Sequence, residues 1–145
     1  MKKLIAFVCA MAFVLSLVGC GNTERMVWDW AQGLSQEDIA CVTPWNDDPW
    51  LEDNAFEALN HAEILTLVVL LNKLTKDSFT ENKNLAGITP TFGIGIMIAS
   101  ETYYINEADS PWGSLEIKYN EKMWWIDNAE LLDFVQSVTN KKPTE

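Results

Sequence analysis

Few side chains in this sequence could do chemistry, and they are scattered. His61 is the single histidine, so a Ser-His-Asp or Cys-His nucleophilic site would have to be built on it. It falls in the first turn of a segment with helical periodicity, beside a capping sequence, where a surface role is expected. Its only companion among soft ligands beyond residue 20 is Cys41, too few for zinc. Gly93 and Gly95 match neither a phosphate-cradling loop nor a dinucleotide fingerprint. Carboxylates are plentiful, so paired acid/base chemistry is open by inventory. Asp47, Asp48, Glu52 and Asp53 crowd into "DDPWLED", and such oxygen ligands could hold calcium. The glycine and closing glutamate of an EF-hand loop are missing, so a solvated acidic loop is expected and calcium is the weaker candidate. No catalytic residue and no cofactor is assigned.

Tryptophan is the unusual residue type. The seven, Trp28, Trp30, Trp45, Trp50, Trp112, Trp124 and Trp125, all lie beyond residue 20. An indole carries a large apolar face and one donor, so this density serves either a small core or a surface that stacks on sugar rings or peptide. Trp45, Trp50 and Trp112 fall in or beside expected loops. With Trp125 they form the candidate binding surface, against the competing role of core filling and loop anchoring.

The N-terminus carries an address. Met1-Lys2-Lys3 precedes an apolar run over 4–18, broken only by Ser16. That is the pattern of a secretory signal, short of the roughly 20 apolar residues that span a bilayer. The run ends Leu17-Val18-Gly19-Cys20, which resembles the lipobox of bacterial lipoproteins, with Val18 bulkier than the usual residue at its position. The resemblance implies cleavage after Gly19 and a diacylglyceryl group on Cys20. Residues 1–19 are then a signal peptide, 20–25 a lipidated tether and 26–145 one domain, extracytoplasmic and held to the membrane by lipid. Two acyl chains on one residue suffice for stable anchoring.

Charge supports the same division. The whole chain has a net charge of −11, and two units more negative once Lys2 and Lys3 leave. An acidic body excludes nucleic acid and electrostatic adhesion to anionic lipid as its business. Cys9 leaves with the signal and Cys20 is taken by lipid, so Cys41 has no intrachain partner for a disulfide. In its apolar segment Cys41 is expected to act as a small buried hydrophobe.

The elements that must position these residues follow from periodicity. Asp29 to Gln32 has capping-box spacing and starts a short helix ending near Leu34. A polar turn over 35–38 feeds a strand over 39–45, closed by Pro44. Asn60 and Glu63 cap a long helix with Ile64, Leu67, Val68, Leu71 and Leu74 on one face, and Leu65, Val69 and Leu70 widen that stripe. Phe92, Ile94, Ile96 and Ile98 alternate with Gly93, Gly95, Met97 and Ala99 in an uncharged central strand, whose glycines are expected to admit a helix closely. A turn at Ser100-Glu101 leads to a returning strand over 102–106, and 107–113 is a loop. Leu115, Ile117 and Tyr119 then mark a half-exposed strand that turns at Asn120-Glu121 into Met123-Trp124-Trp125-Ile126. A two-residue turn pairs Ile117 with Trp124, Leu115 with Ile126 and Glu116 with Trp125, leaving Trp125 outward; a three-residue turn would bury Trp125 instead. Asp127 and Glu130 open a last amphipathic helix bearing Leu131, Phe134, Val135 and Val138, and the tail from Thr139 is expected to fray.

The fold class is α+β: a small antiparallel sheet of about five strands, one long buried helix and a C-terminal amphipathic helix, with the helices on one face. From about Leu34 the chain resembles small extracytoplasmic domains on uncharacterised lipoproteins of Gram-positive bacteria, on the strength of "LSQEDI", "LLNKL", "ITPTFGIGI" and "WWID". That resemblance implies no site residues. The leading expectation is a non-catalytic, lipid-anchored domain that binds a protein or cell-wall component. A glycan hydrolase using paired carboxylates and a structural or immunity-type partner of a membrane protein are the alternatives.

Overall fold

A computed structural model describes residues 25–47, 56–83, 89–111 and 113–140. Helix α1 (Val27–Gln32) precedes strand β1 (Ile39–Asn46), helix α2 (His61–Lys73) and strand β2 (Phe79–Asn82). Strands β3 (Phe92–Ile98), β4 (Glu101–Ser110), β5 (Gly113–Tyr119) and β6 (Lys122–Ile126) follow, then helix α3 (Ala129–Thr139). All pairings are antiparallel and the order is β1-β3-β4-β5-β6-β2, so a four-strand meander is flanked by the two earlier strands. The class is α+β, as expected, with six strands rather than about five.

Period-two patterning sends Ile94, Ile96, Ile105, Leu115, Ile117, Trp124 and Ile126 to one face of the sheet, where each is buried. Val27, Ala31, Leu67, Leu71, Leu131 and Val135 come down from the helices to meet them in a single core cluster. The β5–β6 register is the one a two-residue turn demands: Leu115 opposite Ile126, Glu116 opposite Trp125 and Ile117 opposite Trp124. Trp124 is 7% exposed, while Trp125 is half-buried on the other face. Asn120 and Glu121 both take positive φ, 49° and 61°, the handedness that matches strand twist in a tight hairpin.

Caps set the helix starts. The Asn60 side chain accepts from the Glu63 N–H at 3.1 Å, and the Glu63 carboxylate accepts from the Asn60 N–H at 2.9 Å. At α3 the cap is Asn128, which accepts from the Leu131 N–H at 2.8 Å, one residue later than expected. Helix α1 begins earlier than its polar spacing implied, because Val27, Trp30 and Ala31 share a buried face and draw the first turn back to Val27.

Other expectations are corrected by packing. Leu65 and Val69 are both 49% exposed, so the apolar stripe of α2 is narrower than its composition. Strand β1 runs through Pro44, which an edge strand tolerates by directing its missing donor outward. The turn before β4 is Ala99-Ser100, and β4 extends to Ser110 through a register shift, so most of the expected 107–113 loop is sheet. Thr139 is 1% exposed and its hydroxyl donates to the Val135 carbonyl at 2.9 Å; it is packed rather than frayed.

Candidate functional site

All three helices lie on one face of the sheet, and no described element covers the other. Pairing aligns one residue from each strand across that open face: Trp45, Gly93, Asn106, Glu116, Trp125 and Thr80, in strand order from β1 to β2. Directly opposed residues point to the same side, so these six form a row. At about 4.8 Å per strand step, its two tryptophans stand roughly 19 Å apart at their backbones.

Gly93 is where the row is tightest. A Cβ there would stand 2.6 Å from Asn106 Oδ1, 2.7 Å from the Ile105 carbonyl and 2.9 Å from Trp45 Nε1. The absence of a side chain therefore seats the Trp45 indole and the Asn106 carboxamide together. Gly95 does the same for Tyr104, whose ring would meet a Cβ at 3.2 Å. The expectation that these glycines admit a helix is overturned. They open on the face away from the helices and hold aromatic rings from the neighbouring strands.

Two polar atoms of the row find no partner among the described residues. Trp45 Nε1 and Asn106 Oδ1 are buried without a hydrogen-bond partner, and both abut Gly93. Two more such atoms, Trp30 Nε1 and Trp124 Nε1, belong to the helix side. Glu116 is 9% exposed and receives no hydrogen bond from the described residues, although the sequence pattern had it half-exposed. Burial pushes its carboxyl above the ordinary range by disfavouring the charged form. The row thus combines two indole faces, an unmatched donor, an unmatched acceptor and a carboxylate without a donor. Binding is within its means, and Glu116 is its one carboxylate among the described residues.

Of the residues singled out from sequence, Trp45 and Trp125 are brought into this row, both half-buried. Cys20, Trp50, Trp112, Asp48, Glu52 and Asp53 lie outside the described residues. Asp47 is exposed, and its backbone N–H donates to the Thr91 carbonyl at 2.7 Å. Among the described residues no three His, Cys, Asp or Glu side chains converge as a metal site requires. His61 is exposed, with Nδ1 2.7 Å from the Gln36 amide. Cys41 is half-buried on the open face rather than fully buried, its sulfur 3.6 Å from the Thr43 hydroxyl. Asn106 and Gly93 escaped sequence reasoning as site residues. Their signal was positional, since each sits opposite a polar or aromatic residue only once strand order is known.

Elsewhere a cleft between Arg25, Asn120, Lys122 and Trp124 encloses about 10 Å³, room for one water and no substrate. No described helix is long and apolar enough to cross a membrane. Comparison with protein-family models finds no matching family, and neither curated proteins nor solved structures yield a match.

Proposed function

We propose that this chain is a lipid-anchored extracytoplasmic binding domain, not a catalyst, and that the open face of its sheet takes a protein or cell-envelope component. The observation that supports the binding half is the row itself, in which half-buried indoles flank polar groups that the fold leaves unmatched. Natural folds satisfy nearly all buried polar atoms, so a donor and an acceptor left over at one spot mark a place where something else supplies partners. The lipobox at Leu17-Val18-Gly19-Cys20 supports the anchoring half.

Both halves are tested on intact cells. Cys20→Ala is expected to release the protein from the membrane fraction, and unchanged membrane association overturns the anchor. A photocrosslinking residue at position 125 is expected to capture an envelope component, whereas one at position 65, on the helical side, captures none. Capture from 65 alone overturns the assignment of the face. Turnover of cell-wall material that disappears in Glu116→Gln overturns the non-catalytic reading.

A further inference from the structure

We propose that the row from Trp45 to Trp125 is a saccharide-binding trough, and that its ligand is an uncharged pyranose chain laid across the strands. The inference rests on the reading of the open face as a binding surface and gives that surface a ligand class.

The choice of chemistry follows from what the row lacks. Trp45 Nε1 is left without an acceptor and Asn106 Oδ1 without a donor, and beside them the Glu116 carboxylate has no hydrogen-bond partner among the described residues. A sugar hydroxyl is donor and acceptor at once, so one polyhydroxyl ligand answers all three. A cation, which the acidic chain would attract, offers only donors and leaves the indole N–H unmet. A phosphate or other anion offers only acceptors, and meets Glu116 and a net charge of −11 as repulsion. A peptide strand adds to a sheet through its edge, with backbone hydrogen bonds, and these groups lie on the face instead.

Geometry agrees with the chemistry. The C–H faces of a pyranose ring are apolar, and indole faces are what they stack on. Trp45 and Trp125 supply such faces from backbones about 19 Å apart, a span suited to a short oligosaccharide rather than one sugar. Between them Gly93 seats the Trp45 indole edge beside the Asn106 carboxamide, and Thr80 extends the polar line beyond Trp125. The unmatched atoms over Gly93 are shut from solvent, so a hydroxyl reaches them when the Trp45 ring swings off the glycine. Strand β1 is the outermost strand of the sheet, and on its outer side the Leu59 N–H donates to the Val42 carbonyl at 2.9 Å.

The test uses the full-length lipidated protein in detergent, with chitotetraose, cellotetraose and spermine as separate probes, followed by calorimetry and tryptophan fluorescence. At least one tetrasaccharide is expected to bind with a change in indole emission. Glu116→Gln and Trp125→Ala are each expected to weaken that binding about tenfold. Trp45→Phe, which keeps an aromatic face and loses the N–H, is expected to weaken it several-fold. Leu65→Ser, on the helical side, is expected to leave it unchanged, and thermal unfolding of each variant shows whether the fold persists. The proposal is overturned if neither tetrasaccharide gives heat at millimolar concentration, if binding ignores the row variants, or if only spermine binds. A protein captured from position 125 on cells, with no saccharide binding, sinks this inference and leaves the proposed function standing. No capture from that face together with no saccharide binding sinks both.

Discussion

Trp124 and Trp125 are neighbours in sequence with opposite fates, and the reason is strand alternation. Trp124 packs edge-on against Trp28, ring centroids 5.9 Å apart, inside the core; Trp125 is paired opposite Glu116 on the open face. Trp124→Ala is therefore expected to cost about 3–5 kcal/mol as a core deletion. Trp125→Ala is expected to cost roughly 1 kcal/mol or less, as surface changes do. Chemical denaturation of the two variants decides it, and equal losses would mean that the assigned faces are wrong. Glu116 makes a second residue-scale prediction. Its folded carboxyl binds a proton more tightly than the unfolded one, whose ordinary value is 4.5. Its contribution to stability is thus fully present below that value and lost as pH rises through the raised folded value. Glu116→Gln should equal the wild type at acid pH and exceed it in stability at pH 7. A wild type more stable than the variant at pH 7 would show a hidden partner for the carboxylate. The hairpin partner of Glu116 on β6 was legible only as one of two registers, since alternation fixes the faces once the turn length is known and the turn residues left that length open. The burial of Glu116 was not legible, since one strand pair does not reveal a six-strand face.

The β5–β6 hairpin was open to two registers in the sequence, because neither turn residue is glycine, and the structure takes the two-residue turn. Both central residues adopt positive φ, a conformation that costs a residue with a Cβ roughly 1–2 kcal/mol. Asn120 has a local reason to be there, since its side chain donates to the Arg25 carbonyl at 3.1 Å. Among the described residues, Glu121 offsets its strain through an ion pair with Lys118 at 3.1 Å, with side chains 61% and 90% exposed, and such pairs contribute little. Glu121→Gly is accordingly expected to stabilise the protein by about 0.5–1 kcal/mol, read as a higher denaturation midpoint with unchanged slope. A lower midpoint would mean that the Lys118 contact outweighs the backbone strain. Strand β2 was the illegible element. Its four residues, Phe79-Thr80-Glu81-Asn82, are too few and too polar to show a period, and they become a strand by pairing with β6.

At the scale of the whole molecule, the strands have a lower and an upper end, and the first described residue marks the lower one. Arg25 is held by Asn120 at the β5–β6 turn, while Asp47 and Thr91 are joined at the opposite end of the sheet. A seven-residue strand separates these ends by about 23 Å. Neither the exit point nor the direction of the strands was readable from sequence, because a contact between residues 25 and 120 carries no local signal. Cys20 lies five positions before Arg25, so its backbone could stand no more than about 17 Å from Arg25, which is itself bonded to the turn. The anchor reading then predicts an orientation as well as an address: strands upright, the β5–β6 turn toward the bilayer. Glu116, four residues along β5 from the turn, would carry its row roughly 13 Å above it, parallel to the membrane plane. Spin labels test this on the lipidated protein in vesicles with nickel-chelating headgroups, after Cys41→Ser removes the competing thiol. A label at Lys122→Cys is expected to relax faster than one at Asp47→Cys, because surface nickel lies nearer the turn. The reverse order would place the upper end of the sheet against the membrane and overturn the orientation, whatever the fate of Cys20.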